Sequence, residues 1–405
     1  MANIVLPSGR VPQWVRTGVL GLVAALAAAV ARMGPAQAAS ETPPAAPTYN
    51  VLYSFTGGAD GANPYASLIR DSAGNLYGTT LFGGTSGFGV VFKLDPTGKE
   101  TVLHSFTGGV DGGLPYAGLI QDRAGNRYGT TASGGTYGWG VVFKLDATGK
   151  ETVLYSFTGG ADGAGPRAGL IRDGLGRFYG TTASGGASGR GVVFRLGTTG
   201  KETVLHAFTG TSDGGQPQGG LISDSSGNLY GTTSMGGADQ VGVAFKLNTA
   251  SGETVLHSFT GGTGTDDGEF PYAGLIRDNT GNLYGTTTEG GLDTWGVVFK
   301  LDAIGNETVL YSFTGGADGK EPVAGLVRSS VGNLFGTTAF GGTHDEGVVF
   351  LLGTTGKEIV LHSFTGGADG GQPWASLIRD SAGNFYGTTY SGGSYNAGVV
   401  FKLTP

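Results

Sequence analysis

Short apolar runs, separated by turns rich in Gly, Asp, Asn and Pro, follow one another along almost the whole chain after residue 48. One of these runs, Val-Leu-(Tyr/His)-(Ser/Ala)-Phe-Thr-Gly, occurs seven times, at intervals of 51, 51, 51, 51, 54 and 51 residues. It starts at Val51, Val102, Val153, Val204, Val255, Val309 and Val360. Self-similarity at a period of this length indicates a repeat protein in which each repeat is one supersecondary unit.

Each repeat predicts four short strands, which we call A to D. In the second repeat they fall at residues 117–121, 127–131, 140–145 and 151–157. The runs are rich in β-branched and aromatic residues, and turn residues bound them on both sides. The A–B and C–D connections are tight turns, in which Asp accepts backbone N–H bonds and Gly supplies a positive φ. Strand C is apolar on both faces, so each sheet needs a neighbour on either side.

Seven four-stranded units with two buried faces predict an all-β fold, a seven-bladed β-propeller with antiparallel blades. Kelch and WD40 propeller repeats have similar lengths, whereas a β-helix coil is shorter and a trefoil has three units. The last repeat has no strand D of its own, and a surplus strand D lies at residues 49–55. We expect this N-terminal strand to pair with residues 399–403 and close the ring, which removes two free sheet edges.

The N-terminus has the pattern of a secretory signal peptide over residues 1–38. Arg10 and Arg16 precede the apolar run 17–31, and Ala36-Gln37-Ala38 matches a small-residue cleavage site. An uncleaved membrane anchor is the alternative, because Arg32 follows the apolar run. Residues 39–48 form a Pro/Ala-rich tether before the propeller at 49–405. The pattern predicts a secreted or periplasmic protein, or one associated with the cell surface, without a membrane anchor once the signal is cleaved.

Composition narrows the possible functions. The 82 Gly residues follow no Gly-X-Y period, so they indicate turns rather than collagen. The absence of Cys from the sequence excludes disulfides, thiolate metal sites and a Cys nucleophile. Without residues 1–38 the chain has 21 basic and 31 acidic residues, a net charge of −10. An acidic surface without basic runs argues against nucleic acid and anionic membranes as partners.

Three motifs recur in every repeat: Tyr-Gly-Thr-Thr-x-x-Gly-Gly, Gly-Val-Val-Phe-Lys-Leu and Val-Leu-(Tyr/His)-Ser-Phe, with small variations. Together they resemble the GloVer tandem repeat of bacterial exported and surface proteins described as choice-of-anchor. The resemblance covers residues 49–405 and implies an extracytoplasmic, β-propeller-like array. It implies no activity and no catalytic residues. Members often carry a C-terminal sorting anchor; here the repeats end at Pro405, which favours free secretion.

The positions shared by all repeats are expected to be structural. The Asp of Asp-Gly-x-x-Pro could ligate Ca²⁺, but one carboxylate per loop is few for an ion that takes six to eight oxygens. We favour an Asp that bonds its own loop, at Asp60, Asp111, Asp162, Asp213, Asp267, Asp318 and Asp369. Tyr-Gly-Thr-Thr is expected to form hydrogen bonds between blades. On strand D, His alternates with Tyr in one position, which favours a structural role over metal ligation, at His104, His206, His257 and His362.

The positions that differ between repeats can build a unique site. The D–A and B–C loops must share one face, because the strands of a blade alternate in direction. Aromatic residues in two slots of these loops are candidates for stacking on a sugar ring or gripping a peptide side chain, unless they pack between blades. The candidates are Tyr65, Tyr116, Trp139, Tyr272, Trp295 and Trp374.

Acidic residues concentrate in the loops of blades five and six. They could form a site for a cation such as Ca²⁺ or for a basic ligand, or they could be solvated loop charge. The candidates are Asp266, Asp293, Asp345 and Glu346. Blade three carries Arg167 and Arg190 in the aromatic slots, so this face is expected to be electrically uneven.

These patterns support three functions. The first is a monomeric, non-catalytic binding module for a glycan or peptide. The second is a structural surface or matrix protein, and the third is a hydrolase or lyase that uses the acids of blades five and six. No Gly-x-Ser-x-Gly, His-Glu-x-x-His or phosphate-loop motif occurs in the sequence. The near-identity of the repeats favours the first two functions, because a catalytic centre breaks repeat symmetry more strongly, and no cofactor is required.

Overall fold

The computed structural model describes residues 46–248, 250, 252–262 and 267–405. Within these residues the chain forms seven four-stranded antiparallel sheets arranged in a ring, a seven-bladed β-propeller, and no helix. This confirms the predicted fold class. The predicted signal peptide, most of the tether and Asp266 lie outside the described residues. The described part from Pro47 to Pro405 is one compact unit.

In each blade the strands lie side by side in the order A, B, C, D from the ring axis outward. In blades one to seven, strand A spans Ile69–Arg70, Ile120–Gln121, Ile171–Arg172, Ile222–Ser223, Ile276–Arg277, Val327–Arg328 and Ile378–Arg379. Strand B spans Leu76–Thr80, Arg127–Thr131, Phe178–Thr182, Leu229–Thr233, Leu283–Thr287, Leu334–Thr338 and Phe385–Thr389.

Strand C is as long as strand B in most blades, and strand D is longer. Strand C spans Val90–Leu94, Val141–Leu145, Val192–Leu196, Val243–Asn248, Val297–Leu301, Val348–Leu352 and Val399–Thr404. Strand D of blades one to six spans Glu100–Ser105, Glu151–Ser156, Glu202–Ala207, Gly252–Ser258, Glu307–Ser312 and Glu358–Ser363. A short extra pair before blade five joins Gly268–Glu269 to Glu289–Gly290.

Strand D of blade seven comes from the other end of the sequence. Thr48–Ser54 pairs antiparallel with Val399–Thr404, with Tyr49 opposite Leu403 and Ser54 opposite Val399. This confirms the predicted closure by the N-terminal strand, which begins one residue earlier than expected. Tyr49 occupies the position where the other blades carry a Glu. Its ring stacks on His362 of blade six, with centroids 3.9 Å apart and planes at 5°.

Strand A is shorter than the sequence indicates, because its first residues bond to the neighbouring blade instead of to strand B. In blade two the ladder contains Ile120–Gln121 rather than residues 117–121. The Ala117 carbonyl accepts a hydrogen bond from Thr79 Oγ1 of blade one at 3.1 Å. Thr388 Oγ1 makes the equivalent bond across the closed ring to Ala66. These bonds confirm that Tyr-Gly-Thr-Thr links adjacent blades.

The core lies between the blades. At the junction of blades two and three, for example, the fully buried rings of Phe157 and Phe194 meet edge to face at 5.2 Å. The Gly of Tyr-Gly-Thr-Thr makes this packing possible. A Cβ on Gly180 would lie 2.7 Å from the Phe194 ring, closer than carbon atoms can approach. The invariant motifs therefore specify the apolar contact that holds each blade to the next.

The D–A and B–C loops lie together on one face of the ring, as predicted, and we call it the loop face. Backbone bonds join them in every blade; in blade one Ala62 and Phe82 exchange N–H···O bonds of 2.8 and 3.1 Å. The tight A–B and C–D turns lie at the opposite face. The loop face therefore presents the residues that differ most between repeats.

Candidate functional site

Aromatic side chains from three consecutive blades meet on the loop face, where the chain enters strand A. The ring of Tyr65 in blade one lies 5.5 Å from that of Trp374 in blade seven, with planes at 20°. Tyr116 of blade two meets Tyr65 edge to face at 5.4 Å. Tyr390 of blade seven approaches Tyr65 at 6.5 Å from another side. We call Tyr65, Tyr116, Trp374 and Tyr390 the aromatic cluster.

A cavity of about 280 Å³ opens at the aromatic cluster. It is lined by Tyr65, Leu81, Phe82, Tyr116, Gln372, Trp374 and Tyr390. The cluster rings are half-buried, so each packs on its neighbours and still presents surface to the cavity. Burial raises the pKa of the Tyr65 phenol to about 12, so its O–H remains a hydrogen-bond donor at neutral pH. The site thus combines apolar ring faces with phenol and amide groups.

The remaining residues of the first aromatic slot surround this cluster unevenly. The Arg167 guanidinium of blade three lies 5.2 Å from the centre of the Tyr116 ring and extends the cluster with a positive charge. Tyr272 of blade five is 42% exposed, and no ring contact to it is found within the described residues. Of the predicted candidates, the structure therefore brings the rings of Tyr65, Tyr116 and Trp374 into contact, whereas Tyr272 is near enough only to contribute to the raised pKa of Tyr65.

Trp139 and Trp295, in the second slot, lie against glycines of the D–A loop that follows strand D of their own blade. A Cβ on Gly159 would lie 2.4 Å from the Trp139 ring, and one on Gly315 would lie 2.5 Å from the Trp295 ring. Each indole keeps an exposed side, 51% for Trp139 and 37% for Trp295. Lys320 Nζ lies 5.0 Å from the centre of the Trp295 ring. These two indoles rest on the loops that lead into the next blade and keep one side exposed.

The acidic candidates of blades five and six have separate local partners. Asp345 pairs with Lys320 at 2.8 Å and accepts the Gly341 N–H at 2.9 Å. Glu346 covers a glycine loop in the way that Trp139 and Trp295 do, and its pKa is raised by burial and then by the Asp345 and Asp369 charges. Asp293 is exposed. In the described residues these acids do not form a group with metal-ligand spacing.

The invariant Asp residues bond their own loops, as predicted. Asp60 accepts the Thr56 N–H at 2.8 Å and the Tyr53 O–H at 2.9 Å. Where His replaces Tyr, the imidazole takes over this contact, and His104 Nε2 lies 3.3 Å from Asp111 Oδ2. Tyr and His exchange freely on strand D because both place a polar ring tip against the same carboxylate. Burial lowers the pKa of His104 although Asp111 opposes the shift.

Sequence reasoning missed two features. Tyr390 stands where the other repeats have Leu, Ala, Ser or Thr, and this single large residue was the signal for a site at blade seven. The second feature is the Glu that begins strand D. Burial raises the pKa of these carboxyls, and so does the charge of the Asp in the D–A loop that leads into the same blade. The pKa is about 7 for five of them, Glu100, Glu151, Glu202, Glu253 and Glu358. The recurrence of this Glu was visible in the sequence. Its proximity to the Asp was not, because that Asp belongs to another repeat.

The ring of seven repeats and the varied loop face define the class of this protein, a tandem-repeat β-propeller. The family model of the Gloeobacter/Verrucomicrobia repeat matches residues 39–127, 101–291 and 271–405. The chain belongs to that family, which confirms the resemblance found in the motifs. No curated protein matches the sequence. None of the described residues belongs to a helix long and apolar enough to cross a membrane.

Solved propellers share the fold at low sequence identity. Virginiamycin B lyase from Staphylococcus aureus is 13% identical with a TM-score of 0.55, over 89% of this chain and 99% of the lyase. The extracellular domain of a suggested one-component system from B. thetaiotaomicron is 12% identical with a TM-score of 0.55, over 87% of this chain and 39% of that one. A suggested 6-phosphogluconolactonase from Bacteroides uniformis is 18% identical with a TM-score of 0.50, over 77% and 88% of the two chains. At these identities the likeness concerns the fold alone.

Proposed function

We propose that this protein is an exported, non-catalytic binding module that holds a sugar residue of a glycan at the aromatic cluster. The observation that carries the proposal is the near-parallel pair of Tyr65 and Trp374 beside a cavity of about 280 Å³. Small-molecule sites are concave, mostly apolar and have a few polar groups that fix orientation. Their usual size of roughly 300–1,000 Å³ makes this cavity suitable for one ring of a longer ligand.

The chemistry of the cluster favours a sugar over a peptide side chain. A sugar ring presents C–H groups on its faces and hydroxyls around its edge. The aromatic faces of the cluster can contact the C–H groups of the sugar. The phenols of Tyr65 and Tyr116 and the Gln372 amide can bond its hydroxyls. Several rings from three blades already contact one another, so a ligand would meet a surface that requires little ordering.

The arrangement of the acids supports a binding function rather than hydrolysis or elimination. Glycoside hydrolysis uses two carboxyl groups that face one bond, about 5–9.5 Å apart. Asp345 is paired with Lys320, Glu346 covers a loop and Asp293 points into solvent, so none of them adjoins the cavity of the aromatic cluster. Export is part of the proposal and rests on the signal-peptide pattern of residues 1–38.

Titration of the protein with a panel of oligosaccharides, followed by Trp fluorescence and calorimetry, tests this function. We expect a glycan to bind, and Trp374→Ala to weaken its binding by at least about tenfold, or roughly 1.4 kcal/mol. Trp139→Ala is the matched control, since it removes an indole from the same face outside the cluster. Equal affinity in both variants, or binding of peptides but not glycans, would refute the proposal.

A further inference from the structure

A second constellation of functional groups lies at the junction of blades four and five, away from the aromatic cluster. His257 on strand D of blade four, Asp267 in the following loop and Glu307 at the start of strand D of blade five come together there. His257 Nε2 lies 3.3 Å from Asp267 Oδ1 and 3.8 Å from Glu307 Oε2. All three ligand atoms are within 4.8 Å of one another. The three side chains are between 13% and 19% exposed.

We propose that His257, Asp267 and Glu307 bind a divalent transition-metal cation such as Zn²⁺ between blades four and five. One imidazole nitrogen and two carboxylate oxygens form a ligand set that Zn²⁺ takes in proteins, at about 2.0–2.2 Å from the metal. Tetrahedral geometry at those lengths places ligand atoms about 3.3–3.6 Å apart. The observed separations of 3.3 and 3.8 Å already approach this arrangement.

Groups around the three residues hold two of them in the required orientation. Thr260 donates to Asp267 Oδ2 from its N–H at 2.7 Å and from its hydroxyl at 2.8 Å. The other oxygen, Oδ1, accepts the Gly268 N–H at 2.8 Å and faces His257. The His257 ring lies against Phe259, with centroids 4.8 Å apart and planes at 82°. Outer contacts of this kind orient ligands in metal sites. Water or a further ligand would complete tetrahedral coordination.

The other junctions provide an internal comparison. The junctions of blades one and two and of blades three and four carry the same residue types. There the His–Asp pairs persist, at 3.3 Å for His104 and 3.2 Å for His206. No His–Glu pair within 4.0 Å accompanies them in the described residues. The repeat before blade five is three residues longer, so Asp267 follows His257 by ten positions, where Asp213 follows His206 by seven.

Tyr is the most informative substitution for His257, because Tyr occupies this position in other repeats and bonds the Asp equivalent to Asp267. The examples are Tyr53, Tyr155 and Tyr311. His257→Tyr should therefore fold normally and lose the nitrogen ligand. His206→Tyr makes the same change at the junction of blades three and four, where no Glu lies within 4.0 Å of the His in the described residues. Glu307→Gln removes a charged ligand without changing its size.

The experiment is a Co²⁺ titration of the untagged protein, followed by visible absorption, with Zn²⁺ and Ca²⁺ as competitors. We expect one Co²⁺ per chain, displaced by Zn²⁺ but not by Ca²⁺, which prefers six to eight oxygen ligands. His257→Tyr and Glu307→Gln should weaken binding by more than about 100-fold, since even outer contacts contribute 10–100-fold. His206→Tyr should bind as the unmodified protein does.

Two results would overturn the proposal. The absence of Co²⁺ binding would leave His257 as the centre of an ion pair with two carboxylates. Equal binding in His257→Tyr and His206→Tyr would place the metal elsewhere. Circular dichroism of each variant separates loss of a ligand from loss of the fold.

Discussion

Strand D of blades one to six and strand D of blade seven have the same place in their sheets but are held there differently. In blades one to six a tight turn ties strand D to strand C, and the strand carries a Glu beside the Asp of the preceding loop. In blade seven no turn joins Thr48–Ser54 to strand C, and Tyr49 stands in the Glu position. The Tyr49 hydroxyl donates to the Asp369 carbonyl at 2.5 Å.

The difference shows how the ring compensates for a missing connection. A turn keeps the ends of two strands at high local concentration, so an unfavourable carboxyl pair at the junction is tolerated. The unconnected strand has an aromatic ring there instead, which contacts His362, Phe364 and Phe401. Burial of apolar surface takes the place of chain connectivity.

Removal of the closing strand should have the largest effect. A chain without residues 48–54 exposes strand C of blade seven as a free edge and loses the contacts of Tyr49. We expect the loss of cooperative unfolding or a fall in stability of more than about 5 kcal/mol, which is exceptional for a single change. Calorimetry measures it, with a chain that begins at residue 46 as the control. An unchanged melting temperature would show that the ring does not depend on closure.

Replacement of Tyr49 by Ala isolates the contribution of its aromatic side chain to stability. We expect a loss of about 3 kcal/mol, at the low end for truncation of a large aromatic residue, because Tyr49 is half-buried. Glu100→Ala is the matched control in blade one, where the turn remains and the carboxyl contributes no stability at pH 8. The free energy of unfolding in denaturant gives both values. If the two variants are equally stable, Tyr49 is not an anchor.

The Glu–Asp pairs should make the ring more stable in mild acid than at pH 8. The folded pKa of Glu100 and its four counterparts, about 7, exceeds the unfolded value. Their stabilising protonation is complete below the unfolded pKa and is lost as pH rises through 7. Asp residues of the A–B turns act oppositely: burial raises the pKa of Asp71, but hydrogen bonds from Asn75 and Tyr77 outweigh it, so this stability is lost in acid.

Replacement of the Glu by Gln tests this pH dependence and should give the smallest change in stability. Each exchange should add about 0.5 kcal/mol at pH 8, once solvent screening is considered, and almost nothing at pH 5. Melting curves of Glu100→Gln and of the fivefold variant between pH 5 and 8 measure the effect. A fivefold variant that keeps the full pH dependence would assign it to other groups.

The parts of the fold that depend on one repeat were predictable, whereas contacts between repeats were not. Residues 127–131 form strand B as expected, because alternation and turn chemistry are local. Strand A is shorter because Thr79, about 40 positions earlier, competes for the Ala117 carbonyl. For the site, the sequence placed Tyr65, Tyr116 and Trp374 on one face. Their meeting depends on blade seven lying beside blade one, and the separation of Trp139 depends on loop geometry.

The pairing of Thr48–Ser54 with Val399–Thr404 also constrains the order of events in folding. Of the strands in the ring, the one synthesised first pairs with the one synthesised last. Six blades can therefore form progressively from local contacts, but the N-terminal strand has to wait, with an unpaired edge, until the final strand is available. Such a long-range contact makes the last step slow compared with blade formation. A delay at that step exposes an edge that can pair with another molecule.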